Sequence, residues 1–130
     1  MKWNEEKEAD LYDAPGKIFV FGSNLAGRHG KGAALFAKLY RGAIYGQGFG
    51  LQGQSYAIPT KDANLRRLPI DIIAQYVRMF IEDARLNPEL DFYVTPIGCG
   101  LAGNKPEIIA PLFKDVSENV ELNQVFKELL

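Results

Sequence analysis

The sequence predicts a single α/β domain in three layers, a mixed and largely parallel sheet covered by helices on both faces. Short apolar runs alternate along the chain with longer stretches of helical periodicity, the pattern of strand-helix-strand units. Two of the runs, at residues 18–21 and 91–95, lead into glycine-rich loops that open onto new helical patterns. The 130 residues, 47% hydrophobic and 24% charged, are enough for one real core and too few for two ordinary domains.

Residues 1–16 read as a solvated arm or short added element, because Asn4-Glu5-Glu6-Lys7-Glu8 is charged and Ala14-Pro15-Gly16 marks a turn. The domain is expected over residues 17–130. Ile18-Phe19-Val20-Phe21 is the opening strand, halted at Gly22, and a polar loop follows before helical spacing resumes at Ala33 and Ala34. Leu35, Phe36, Leu39 and Tyr40 suit a helix packed on a sheet and ended near Arg41-Gly42. Residues 43–54 hold too many glycines for a helix, which leaves a looser strand or a loop over a pocket.

Ser55-Tyr56-Ala57-Ile58-Pro59 is extended, with Pro59 placed near a strand end because it has no N–H to donate, and Thr60-Lys61-Asp62 at the strand's carboxyl edge. From Pro69 onward Ile70, Ile73, Ala74, Val77, Phe80, Ile81 and Ala84 mark an amphipathic helix. Asp91 to Pro96 reads as another strand, delivering a second glycine loop at residues 97–104 and then a helix over 106–113. A short strand near residues 119–122 and a terminal amphipathic turn or helix complete the chain. Three loops, those after residues 21, 59 and 96, are therefore expected to meet at one edge of the sheet.

Composition excludes several functions. Lys+Arg 15 against Asp+Glu 16 leaves a formal net charge of -1, which argues against holding nucleic acid by bulk charge, although a local basic rim stays open. One cysteine and one histidine supply neither an internal disulfide nor a zinc site of usual composition, and no metal or cofactor is expected. Without a visible leader or membrane-spanning run, the expected location is the cytoplasm of a cell or of a virus-infected cell, with no membrane partner.

A glycine loop opening onto a helix leaves backbone N–H groups unpaired at the positive end of the helix dipole, where phosphate is the natural visitor. The first loop fails the P-loop pattern, since Arg28-His29 stands where Lys-Ser/Thr is required. It also fails the dinucleotide fingerprint, since Gly27, Gly30 and Gly32 run in the reverse spacing. Its alternative reading is a tight turn with close helix-to-strand packing. The second loop, Gly98-Cys99-Gly100-Leu101-Ala102-Gly103, adds another cradle, and two cradles suit a diphosphate with its adjoining ribose.

These residues resemble a macrodomain, the ADP-ribose-binding fold, over residues 18 to about 113. Asn24 and Gly30-Lys31-Gly32-Ala33-Ala34 resemble the asparagine and glycine-alanine loop that hold the distal ribose there, and Ile97-Gly98-Cys99-Gly100-Leu101 resembles the loop that wraps the diphosphate. Within that family the chain is most similar to the lysine-dependent terminal ADP-ribose glycohydrolases, through Thr60-Lys61 and Gly98 to Leu101. Bacterial and phage macrodomain-like proteins with Phe-Gly-Ser-Asn and Pro-Thr-Lys-Asp segments are more similar still. The resemblance implies ADP-ribose or a related NAD-derived nucleotide as ligand, with Ser23, Asn24, Gly27, His29, Gly30, Lys31, Gly32, Ala33, Gly98, Cys99, Gly100, Leu101 and Gly103 around it. It further implies an ADP-ribosylated protein as partner and ester hydrolysis with Lys61 attacking the anomeric carbon. The aspartate that assists in that branch is replaced by Ala102, so either hydrolysis is absent and the chain senses or sequesters the nucleotide, or another carboxylate, first Asp62, takes the role.

Each of these side chains also has a plainer reading. Lys61 is a nucleophile, a ligand contact or a surface residue. His29 is a ligand contact and proton carrier, or a loop residue that hydrogen-bonds backbone. Cys99 is better read as a small packed residue than as a nucleophile. Tyr45, Phe49 and Tyr56 wall a planar ring or belong to the core, and Arg66-Arg67 extends a basic lip or serves solubility.

Overall fold

Alternation along the strand Lys17–Asn24, β1, decides the architecture. Successive side chains of an extended chain leave opposite faces, so Phe19 and Phe21 point one way and Ile18 and Val20 the other. All four are buried, and β1 therefore has a core on each side. The computed structural model describes residues 16–130. The arm expected over residues 1–16 lies, apart from Gly16, outside the described residues.

Five strands form one sheet among the described residues, in the order β2-β3-β1-β4-β5, where β2 is Gly50–Gln52, β3 is Ser55–Lys61, β4 is Asp91–Val94 and β5 is Val120–Leu122. β1 pairs in parallel with β3 and β4, and β4 with β5, while β2 runs antiparallel to β3. The sheet is thus mixed and largely parallel. Among the described residues the α-helices are α1 (Gly32–Tyr40), α2 (Ile70–Leu86), α3 (Pro106–Ile109) and α4 (Gln124–Glu128).

Two apolar clusters grip β1. Ala34, Phe36 and Ala37 of α1 pack with Phe19, Phe21 and Ala57. Ile73, Val77 and Phe80 of α2, with Ile109 of α3, pack with Ile18, Val20, Tyr56 and Ile58. Full burial of each such side chain contributes roughly 1.5–3 kcal/mol, so the opposite faces of β1 fix where the two helices following β1 and β3 must lie. Because those helices leave for different clusters, the loops that follow β1 and β3 diverge at the carboxyl edge of the sheet, the edge where such sheets receive ligands.

Several elements differ from the sequence reading for local reasons. Leu39 and Tyr40 are 54% and 56% exposed rather than packed on the sheet. Phe36 stacks obliquely on Phe19 with ring centroids 5.0 Å apart, and with Ala34 and Ala37 it takes the whole inner stripe of a nine-residue helix. The helix expected over residues 106–113 is α3 followed by a 3-10 turn, Ala110–Phe113, because Pro111 has no N–H for an α-helical bond and crowds the carbonyl four residues back. Pro59 lies inside β3, beyond the residues that β2 pairs, so its missing donor removes no bond on that side.

Residues 43–54 resolve into a loop, β2 and a tight turn at Gly53, whose φ is 60°. The Gln47 side-chain amide donates to the carbonyls of Phe49 (3.1 Å) and Leu51 (3.2 Å), along the side of β2 that faces away from β3. Asn119 ties the far end of the sheet, donating to the carbonyls of Ala84, Asn87 and Leu90. Among the described residues no helix is long and apolar enough to cross a membrane.

Candidate functional site

Three loops converge at the carboxyl edge. A Cβ on Gly22 of β1 would stand 3.2 Å from the amide nitrogen of Gly98, and one on Gly98 would stand 3.3 Å from Cγ2 of Thr60. The register between β1 and β3 slips at Ser23/Asn24, so that Ser23 faces Pro59 and Asn24 faces Lys61. Thr60 is the extra residue, and its hydroxyl donates to the Ser23 carbonyl at 3.3 Å. Such a bulge re-aims the residues after it, here Lys61.

The first loop, residues 24–31, is closed on itself. Asn24 Oδ1 accepts from the Arg28 amide at 2.9 Å, and Asn24 Nδ2 donates to the Arg28 carbonyl at 3.0 Å. Gly27, with φ 69°, donates to the Asn24 carbonyl and accepts from the Gly46 amide at 2.8 Å. The Ser23 hydroxyl donates to the Gly48 carbonyl. His29 is wholly buried, with Nε2 3.0 Å from the Gln47 carbonyl and 3.3 Å from Gln52 Oε1, and its ring meets Phe21 edge-on at 5.2 Å. Both Nε2 neighbours only accept, so this nitrogen carries the proton; Nδ1 is buried without a partner. His29 thus sits where its backbone-bonding reading put it, and Ser23 and His29 each bond elsewhere rather than to one another.

What the first loop leaves open is its exit. Lys31 stands at the N-cap of α1 without a side-chain cap, and the amides of Gly32, Ala33 and Ala34 have no protein acceptor among the described residues. Gly30 borders open space.

Lys61 ends β3, half-buried, with its carbonyl accepting from the Leu25 amide at 3.0 Å. Its amine has neither ion pair nor hydrogen bond among the described residues. Asp62 Oδ1 accepts from the amides of Asn64 and Arg66, both at 2.9 Å, and so folds its own turn. Arg67 donates to the Gly103 carbonyl at 3.2 Å and joins this loop to the third.

The third loop is held at its neck. Asn104 donates its amide to the Gly98 carbonyl at 2.8 Å, and Gly103 to that of Gly100 at 3.1 Å. Between these bonds the amides of Leu101 and Ala102, like those of Gly98 and Gly100, lack a protein acceptor among the described residues. The Asn104 Nδ2 is buried and unpaired beside Gly98. Cys99 donates weakly to the Ile97 carbonyl at 3.3 Å; burial, aided by nearby Glu107, pushes its thiol up to about 11. At neutral pH it is a protonated, packed residue.

Of the three candidate ring walls, Phe49 and Tyr56 meet edge-on in the core at 5.7 Å, while Tyr45 is exposed with Lys38 Nζ 5.1 Å above its ring. Two partners went unread in the sequence. Gln52 is 3% exposed and bridges His29, the Ile44 amide and the carbonyls of Gln47 and Gly50. Gly48 seats the Asn24 carbonyl where a Cβ would be 2.3 Å away. The glycine density of residues 46–53 was the available signal. Chemically, the edge offers backbone donors from two loops and the uncommitted Lys61 amine, a set suited to an anion. No protein-family model matches the chain, and no curated protein matches it significantly.

Proposed function

We infer that the chain is a macrodomain-type module that binds ADP-ribose or a related NAD-derived nucleotide at the carboxyl edge of the sheet, where the loops after β1, β3 and β4 meet. The single observation that carries this reading is the pair of loops with unpaired amides, residues 30–34 and 98–102, which follow the adjacent strands β1 and β4 at one sheet edge, with Lys61 at the end of β3 on the other side of β1. The three-layer α/β/α arrangement of that family belongs to the same reading, supported by the two clusters on opposite faces of β1. The third loop wraps the diphosphate, and the start of α1 meets the distal ribose. Asn24 acts there by shaping the loop, since both polar atoms of its amide are already bonded. Calorimetry with ADP-ribose tests it: saturable binding is expected, and no heat at millimolar ligand while another nucleotide binds would overturn it.

Binding without turnover is favoured by Asp62, which is bonded to its own turn, and by Ala102. A second reading, hydrolysis of an ADP-ribosyl ester on an acidic side chain of a protein, is favoured by the uncommitted Lys61 amine. In that reaction the lysine gives up its proton, its nitrogen bonds to the anomeric carbon, and the ester carboxylate leaves from that carbon. Release of ADP-ribose from a modified protein by wild type and by Lys61→Ala separates the two. Turnover lost in Lys61→Ala supports hydrolysis, and equal rates remove Lys61 as nucleophile.

A further inference from the structure

We propose that the outer surface of these three loops is a docking surface for an acidic protein segment bearing aliphatic side chains, the segment to which the ADP-ribosyl group is attached. The attached group rests on the ADP-ribose reading; the docking surface itself rests on different residues.

Each of the three loops presents one exposed leucine: Leu25 on the first, Leu65 on the second and Leu101 on the third. Their loops are joined, Leu25 through its amide to Lys61 and Arg67 through its guanidinium to Gly103. Leu65 carries the sharpest signal. Its φ is 64°, and it is the one non-glycine residue with positive φ among the described residues. Leucine rarely adopts that conformation. The turn that imposes it is closed by the Asp62 side chain and by a bond from the Leu65 amide to the Asp62 carbonyl at 3.0 Å. The side chain so held packs in no core cluster and faces solvent. Strain kept in an exposed loop points to a use for the residue that bears it.

Charge names the partner. Arg28, Lys31, Lys61, Arg66, Arg67 and Lys105 lie on the same loops, and none forms an ion pair among the described residues. The carboxylate within these loops, Asp62, is turned to its own backbone. This concentration of cations arises on a chain whose net charge is -1. Leucines set among unpaired cations complement a segment of carboxylates and aliphatic anchors. A single-stranded nucleic acid would call for rings on which bases stack, and these three loops offer leucines instead.

Fluorescence anisotropy of the full chain tests the proposal with three probes: a labelled glutamate-leucine peptide, its glutamine-leucine counterpart, and single-stranded oligothymidylate. The acidic peptide is expected to bind most tightly, with affinity that falls as salt rises. Leu65→Asn tolerates the positive φ, so its melting temperature and ADP-ribose affinity should hold, while peptide affinity drops by roughly tenfold, the effect of losing one interface anchor. Arg66→Ser should weaken the acidic peptide and leave the neutral one unchanged. Oligothymidylate binding as tightly as the acidic peptide, or peptide affinity unchanged in Leu65→Asn, would overturn the proposal. If the peptide binds in a Leu65-dependent way and ADP-ribose does not bind, the docking surface stands and the ADP-ribose reading falls; the reverse result removes the docking surface alone.

Discussion

The first and third loops look alike in sequence and differ in how they spend their polar groups. The first loop turns Ser23, Asn24 and His29 inward, onto the Gly48 carbonyl, the Arg28 backbone and the Gln47 carbonyl. Its glycines press against a second glycine-rich segment so closely that a Cβ at Gly27 or Gly48 would fall 2.3 Å from backbone. The third loop is fastened at residues 98–104 by two backbone bonds and leaves its middle open, with nothing within 4 Å of a Cβ on Gly100. Gly27 in one loop allows close packing, and Gly100 in the other leaves room. A rigid frame beside an open cradle is what a preorganised anion site requires.

Substitutions across the two loops test that contrast. Gly27→Ala should have the largest effect, because the new methyl overlaps backbone at a positive φ: a loss of about 3 kcal/mol or more in urea unfolding is expected. His29→Ala should follow at about 2–4 kcal/mol, since it leaves a cavity beside Phe21 and strips the Gln47 carbonyl of a donor. The same unfolding curves measure it, and a loss well below that range would mean that the first loop is not fastened through this ring. Gly100→Ala should cost the least, within about 0.5 kcal/mol, while lowering ADP-ribose affinity in calorimetry by crowding the cradle. A Gly100→Ala protein as unstable as Gly27→Ala would erase the distinction between frame and cradle.

Much of this was legible in the sequence because hydropathy period carries it. The unbroken apolar run at residues 18–21 marks a strand buried on both faces, and spacing marks Ile73, Val77, Phe80 and Ala84 as the inner stripe of α2, whereas Ile70, expected in that stripe, is exposed at the first turn. Leu39 and Tyr40 of α1 carry the same apolar signal as Phe36 and yet are exposed, because Ala34, Phe36 and Ala37 form the stripe that meets the sheet. At the site, glycine spacing marked the loops and Thr60-Lys61 marked the strand end. What remained hidden was the partnering of polar side chains. Glutamine gives no signal for burial, yet Gln52 sits beneath the first loop. Asp62 was read toward chemistry, but an aspartate two residues before an asparagine amide is equally a turn former, and the local bond prevails here.

The Gln47 amide has a consequence beyond the site. β2 is the outer strand of the sheet, three residues long, and the carbonyls of Phe49 and Leu51 on its free side already accept from that side chain. An edge so short and so occupied gives a neighbouring chain little backbone to pair with. One glutamine side chain therefore leaves this border two fewer free carbonyls for strand addition.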